Sequence, residues 1–320
     1  MRVVGGLSDR VRARWWPARR GAIVGHQHLS GSASVGPMTA HLTTAAELHE
    51  ALAAGRYGDG GPVRILDVRW RLDRPDGRPD FRAGHIPGAA YVDLDHELAA
   101  PGAPVDGRHP LPSPAALQRS ARTWGVHTGD TVVVYDDLGG MSAARAWWML
   151  RDAGIADVRV LDGALRSWTD AGFALETGDG PAPEPGDVVL TSGAMPAVGI
   201  DGVAALAADG VLLDARAAER FRGDVEPIDP RAGHIPGAIS APTAENLDES
   251  GRLLDPAALR ARFTALGARS DAPVGVYCGS GVTASHEALA LAVAGFEPIV
   301  YPGSWSQWSN HPDRPVATGA

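Results

Sequence analysis

The sequence predicts an α/β protein built from two tandem domains, each a mostly parallel sheet flanked by helices. Three observations lead there. Short apolar runs rich in Val, Ile and Leu alternate with longer segments of helical period, the pattern of β–α–β units. The series then recurs: Val211-Leu212-Leu213-Asp214-Ala215-Arg216 follows Ile65-Leu66-Asp67-Val68-Arg69, and Arg231-Ala232-Gly233-His234-Ile235-Pro236-Gly237-Ala238 follows Arg82-Ala83-Gly84-His85-Ile86-Pro87-Gly88-Ala89. Finally, 320 residues are enough for two cores.

Taken in order, residues 1–37 differ from the rest. They hold six arginines against the single acid Asp9, and a Gly-, Ser- and His-rich stretch follows. No apolar stretch follows Arg19-Arg20, as a twin-arginine signal requires, and Met38 directly precedes the first patterned segment. This segment is expected to be a disordered or misassigned N-terminal extension. The first domain is expected over 40–177. It opens with a helix capped by Thr44 or its neighbour, with Glu47 placed for a capping box. The strand Val63–Arg69 follows, then the Gly-His-Ile-Pro-Gly-Ala loop. Helix 114–124, strand Thr131–Asp136, helix 142–153 and strand Val158–Leu161 come next, and Gly163–Asp170 reads as a helix or turn. Residues 178–187, rich in Gly, Pro, Asp and Glu, have the composition of a semi-rigid linker. The second domain, 188–318, repeats the order. His85 and His234, in the repeated loops, read as structural, each ordering its loop by hydrogen bonds.

Composition bounds the chemistry. A hydrophobic content of 44% and a charged content of 21% are ordinary for a water-soluble fold. The net charge of −9 argues against nucleic acid or an anionic membrane as partner. No apolar stretch reaches membrane-spanning length. All basic residues are arginine, from which no function is drawn. A single cysteine, Cys278, cannot make an internal disulfide, which fits a reducing, cytoplasmic compartment.

That cysteine is the focus of the second domain. Ala272–Tyr277 reads as a buried strand and Ser285–Ala294 as a helix, so Cys278-Gly279-Ser280-Gly281-Val282-Thr283-Ala284 is the turn between them. Gly279 and Gly281 allow successive N–H groups to point inward around one atom. The following helix start adds unpaired N–H groups and the positive end of its dipole. Both favour an anion at Sγ, so the thiol is expected to ionise more readily than a free one. A lone cysteine is more often inert and buried; the glycine-bearing loop reverses that balance. A cysteine phosphatase would need an arginine where Ala284 stands, because arginine grips the phosphate in C-x5-R loops.

With the repeated Gly-His-Ile-Pro-Gly-Ala, this loop resembles that of the rhodanese family of sulfurtransferases, over nearly all of residues 40–318. The string from Cys278 to Ala284 is similar to the mercaptopyruvate sulfurtransferase version; thiosulfate-preferring members typically carry basic residues there. Aligning the copies puts Asp136 opposite Cys278. An aspartate cannot carry a sulfane sulfur, so the first domain is expected to be catalytically silent. The resemblance implies a Cys278 persulfide held by the amides of Gly279, Ser280, Gly281, Val282 and Thr283, with ping-pong kinetics. Arg220 matches the arginine that holds the donor's carboxylate or sulfonate. Arg231 stands near the place of a second, at a spacing about two residues off. Ser280, His109 and Asp95 match a serine–histidine–aspartate relay that protonates the departing enolate. The bland alternatives are that Ser280 only caps the next helix and that His109 and the arginines are surface groups.

The expectation is therefore a sulfurtransferase taking a sulfane sulfur from 3-mercaptopyruvate or thiosulfate and passing it to cyanide or a thiol. Thioredoxin or a low-molecular-weight thiol would be the acceptor, and no cofactor or metal is needed. The residues around Val225-Glu226-Pro227-Ile228-Asp229 resemble bacterial members classed as thiosulfate enzymes, which keeps a thiosulfate-specific reading open. A non-catalytic sulfur-carrier or regulatory module is the rival from another class, against which the retained cysteine counts.

Overall fold

The computed structural model describes residues 41–320, so the expectation for 1–37 lies outside the described residues. Two all-parallel sheets form as the alternating pattern requires. In the first domain the strands are β1 (Leu42–Thr43), β2 (Val63–Asp67), β3 (Ala90–Tyr91), β4 (Thr131–Tyr135) and β5 (Val158–Leu161), in the order β1-β5-β4-β2-β3. The second has β6 (Val211–Asp214), β7 (Ala238–Ser240), β8 (Val274–Tyr277) and β9 (Pro298–Val300), in the order β7-β6-β8-β9. Register is also duplicated: Asp67 pairs with Tyr135, and Asp214 with Tyr277. A parallel bridge from Ala197 to Val300 stands where β1 joins β5 in the first copy.

Helices cover both faces, so β4 and β8 are buried along their whole length. The first helix, α1 (Ala45–Ala54), starts with the expected reciprocal cap: Glu47 N–H donates to Thr44 Oγ1 at 3.2 Å, and Thr44 N–H donates to the Glu47 carboxylate at 2.8 Å. Two short helices, α2 (Arg78–Ala83) and α3 (Leu94–Glu97), flank β3, and Asp95 rides on the second of them. Then come α4 (Pro114–Thr123), α5 (Ala143–Asp152) and α6 (Ala164–Asp170). The second domain carries α7 (Ile200–Asp209), α8 (Ala218–Arg222), α9 (Pro256–Ala265), α10 (Val282–Val293) and α11 (Ser304–Ser309). Helices α5 and α10 pack against each other, and one apolar core runs from Leu66 and Val134 through Trp147 to Val276 and Leu291. The domains thus share their core across the seam.

Both Gly-His-Ile-Pro loops are fixed in the same way. His85 Nδ1 lies 2.9 Å from Phe81 O and His234 Nδ1 lies 2.8 Å from Phe221 O, with each imidazole stacked on that phenylalanine. The next amide, of Ile86 or Ile235, donates to the hydroxyl of Tyr135 or Tyr277 at 3.1 Å. Asp67 and Asp214, fully buried, are paired with Arg69 and Arg216 at 2.6 Å.

Residues 178–187 are held against the first domain. Gly186 N–H donates to Arg122 O at 2.8 Å and Thr128 N–H to the Asp187 carboxylate at 2.8 Å, while the Arg122 guanidinium donates to Val188 O at 2.9 Å. A side chain at Gly186 would lie 1.8 Å from Val126 O, so only glycine allows this approach.

Candidate active site

The central strand β8 delivers Cys278 to the sheet's carboxyl end, where ligands bind in open α/β sheets. The chain then turns through Gly279 and Ser280 to Gly281. There φ is 84°, a left-handed angle, and a Cβ would meet Pro302 O at 2.3 Å. The helix begins at Val282, three residues before the sequence reading placed it, because glycine at this cap lets the loop feed straight into the first turn. The loop's own carbonyls are taken: Trp305 N–H donates to Cys278 O at 2.9 Å and Ser306 N–H to Gly279 O at 2.8 Å.

Cys278 Sγ accepts the Gly281 N–H at 3.1 Å, and the Ser304 hydroxyl stands 3.9 Å away. Ser304 is held at a positive φ of 55°, with its Oγ accepting the Cys278 amide at 3.1 Å. Strained backbone of this kind persists only where its surroundings over-determine it. The cysteine is 1% exposed, but it lines a cavity of about 470 Å³ between the domains. Gly279, Ser280, Val282 and Thr283 share that wall, with Arg108, Arg216 and Arg220 beside them and Trp70, Leu72, Leu138 and Met141 opposite.

Ser280 meets two residues of the first domain, His109 and, through it, Asp95. The serine Oγ lies 2.8 Å from His109 Nδ1, and His109 Nε2 lies 3.3 Å from Asp95 Oδ1. Trp70 Nε1 also donates to Asp95 Oδ1, at 2.9 Å, and its ring stands edge-on to the imidazole. Burial, aided by Arg145 and Arg108, pushes His109 down to about 4, so the ring is neutral at pH 7. Asp95 is raised by burial, an effect that the Trp70 hydrogen bond opposes.

Arg220 lines the cavity, its Nη2 donating to Glu226 at 2.7 Å and Asp229 at 3.2 Å. Arg231 corrects the expectation placed on it. Its guanidinium donates to the carbonyls of Ser309, Arg314, Trp308 and His311 at 2.7–2.8 Å, tying down the C-terminal segment, and it does not line the cavity. A fork spent on four carbonyls has little left for a donor.

Several contributors were missed from sequence. Arg145, fully buried on α5, donates to His109 O at 2.9 Å, Leu98 O at 3.1 Å and Gly281 O at 3.3 Å, so it links the imidazole segment of one domain to the cysteine loop of the other. Burial holds it down at about 10. A charged residue inside the apolar run Ala143-Ala144-Arg145-Ala146-Trp147-Trp148 was the available signal. Arg108 was adjacent to a residue already singled out. Asp229 stood in the Val225–Asp229 stretch that resemblance had marked, with no role attached; nothing local marks Trp70 or Ser304.

A family model for the rhodanese-like domain matches this chain twice, over residues 44–171 and 201–311. The chain belongs to the rhodanese family. A Mycobacterium tuberculosis protein named as the thiosulfate sulfurtransferase SseB is 48% identical over 281 residues, covering 87% of this chain and 97% of its own. A Pseudomonas aeruginosa protein named as a 3-mercaptopyruvate sulfurtransferase is 47% identical over 270 residues, covering 80% and 92%. Among solved structures, the Escherichia coli 3-mercaptopyruvate enzyme SseA superposes with a TM-score of 0.73 at 32% identity, over 83% of this chain and 99% of that one. This rhodanese is thus a sulfurtransferase of two α/β domains. No helix among its described residues is long and apolar enough to cross a membrane.

Proposed function

We propose that this rhodanese moves a sulfane sulfur from 3-mercaptopyruvate to a thiol, or to cyanide in an assay, through a persulfide on Cys278. The observation that carries the donor is the Ser280–His109–Asp95 chain of contacts beside Sγ, at 2.8 and 3.3 Å. Thiosulfate has no use for a proton relay; an enolate leaving group does.

In the first half-reaction the Cys278 thiolate attacks the donor sulfur. An S–S bond forms, the C–S bond breaks, and its electron pair passes to the pyruvate carbon. Neutral His109 takes the donor's S–H proton through the Ser280 hydroxyl and returns it to that carbon, giving pyruvate. Asp95 and Trp70 orient the imidazole. The helix start and the amides of Gly279, Ser280, Gly281, Val282 and Thr283 hold the persulfide anion, with Gly281 N–H already on Sγ at 3.1 Å. In the second half-reaction an acceptor thiolate attacks the outer sulfur, the S–S bond breaks, and the Cys278 thiolate returns. Asp136, which cannot carry sulfur, makes the first domain silent. The acceptor is a small thiol or a thioredoxin-like protein, in a reducing cytoplasm as the lone cysteine implies.

Thiosulfate is the second reading, favoured by the arginine-lined cavity and by the relative named for it. Its S–S bond would break with the electron pair leaving on sulfite. The test is steady-state turnover of both donors with cyanide, alongside Cys278→Ser. Higher kcat/KM for mercaptopyruvate is expected, with loss of at least about 10³-fold in the variant. A normal rate in Cys278→Ser would overturn the persulfide, and a preference for thiosulfate would overturn the donor.

A further inference from the structure

A second hydroxyl–imidazole pair borders the cysteine cavity. Thr243, on a short 3-10 turn (Thr243–Asn246) after β7, lines it together with Cys278 and Ser280. Its Oγ1 lies 2.7 Å from Nδ1 of His286, a fully buried residue on the second turn of α10. The Asn246 side-chain amide donates to the same Oγ1 at 3.4 Å and to Glu287 Oε2 at 2.6 Å, so the threonine hydrogen is free to go to Nδ1. The arrangement matches Ser280 and His109, whose Oγ and Nδ1 are 2.8 Å apart. On its far side the imidazole meets the first domain: a Cβ built on Gly140 would lie 3.8 Å from His286 Cδ2. Burial pushes His286 down to about 4, against the attraction of Asp136, so this ring too is neutral at pH 7.

The pair belongs to the catalytic copy alone. The amides of Val92 and Ala241 are equivalent, donating to Asp67 O and Asp214 O at 2.9 Å; two residues further on, Leu94 stands where Thr243 does. Counted from Asp136 and Cys278, Ala144 stands where His286 does. Leu94 and Ala144 are fully buried. The first domain therefore fills both places without a polar atom. A hydroxyl and an imidazole in the same places carry a desolvation cost that packing does not require.

Ser280 and His109 serve the departing enolate. The second half-reaction has a need of its own, because a free thiol is largely protonated at pH 7 and must lose that proton to attack. We propose that Thr243 and His286 form a second relay, which takes the S–H proton of a thiol acceptor. The inference rests on the sulfur-transfer reading above. The acceptor's S–H bond breaks, its proton goes to Thr243 Oγ1, and the threonine hydrogen passes to His286 Nδ1. The acceptor sulfur bonds to the outer persulfide sulfur, the S–S bond to Cys278 breaks, and its electron pair returns to Sγ. The proton then travels back through Thr243 to the transferred sulfur. The acceptor leaves as a neutral persulfide, and no further reactant is needed.

The experiment measures kcat/KM at pH 7 for the full chain and its Thr243→Val, Thr243→Ser and His286→Asn variants. Mercaptopyruvate and thiosulfate serve in turn as donor, and dithiothreitol or cyanide as acceptor. In a ping-pong reaction the acceptor's kcat/KM reports the second half-reaction and the donor's reports the first. Cyanide attacks as an ion formed in solution and brings no S–H proton into the site. Thr243→Val is expected to lower kcat/KM for dithiothreitol by about 10-fold or more, with far smaller falls for cyanide and for the donors. Thr243→Ser should restore most of the loss. His286→Asn keeps a partner for the hydroxyl but cannot take its proton, so it should lose as much as Thr243→Val, and it decides the matter should the valine variant fail to fold. A merely structural role would lower the melting temperature and cut both acceptors alike. That result, or an unchanged value for dithiothreitol in either variant, overturns the inference. Wild-type protein that passes no sulfur to cyanide from either donor would instead refute the sulfur-transfer reading itself.

Discussion

Asp136 and Cys278 stand at the same register of two equivalent sheets, each directly after a buried tyrosine that ends the central strand. The surroundings of the two side chains differ sharply. The Asp136 carboxylate accepts the amides of Leu138, Gly140, Ser142 and Ala143 and the Ser142 hydroxyl, all at 2.8–3.0 Å. Cys278 Sγ accepts one amide, at 3.1 Å. A loop of this shape is a ring of donors for an anion. In the first copy the anion is built in and the ring is closed on it. In the second a single sulfur occupies the position, and the wall opens onto a cavity. The contrast extends into the helices. Equally far beyond each loop residue come Arg145 and Glu287, both fully buried, the first reaching across to the other domain's loop and the second bonded to Asn246 at 2.6 Å within its own. Duplication kept the scaffold and reassigned its charges.

Removing the built-in anion should have the largest effect. Asp136→Ala leaves four loop amides without their acceptor, while the Ser142 hydroxyl keeps Val68 O, and is expected to lose about 3–5 kcal/mol of stability in denaturant melts. Turnover per folded molecule should stay near wild type; a collapse would mean that the first loop takes part in the chemistry. Ser280→Ala interrupts the contact with His109 and is expected to lower mercaptopyruvate turnover by about 10–100-fold while thiosulfate turnover falls less. Equal losses would reduce Ser280 to a loop residue. Because His109 is held down at about 4, wild-type kcat/KM for mercaptopyruvate should show no acid limb near the free-histidine value of 6.5. The smallest effect concerns Glu287, which burial lifts to about 7 from 4.5. Between those values the folded chain binds the proton more tightly than the unfolded one, so stability falls as pH rises from about 4.5 to 7. Glu287→Gln should flatten that slope in melts across the range; an unchanged slope would assign it to another group.

Much of this was legible because duplication writes the same pattern twice. The repeated strand and Gly-His-Ile-Pro segments located both sheets and aligned Asp136 with Cys278 without any coordinate. Ser280, His109 and Asp95 could be singled out by resemblance, but their meeting at 2.8 and 3.3 Å depends on how two domains dock, which no local pattern encodes. The same reason hid Arg108 and Arg145. Arg231 illustrates the opposite error. It stands about two residues off the place of a donor-binding arginine, and the backbone turns it toward Ser309 and Arg314, whose carbonyls draw in the cation.

The strap between the domains has a consequence for traffic. Gly186, Asp187 and Val188 are stitched to Arg122, Val126 and Thr128, and the helices on either side share one apolar interior. Such a joint is a weld rather than a hinge. Reactants must therefore come and go through a standing doorway, and any acceptor too bulky to enter must present its sulfur on a protruding tip.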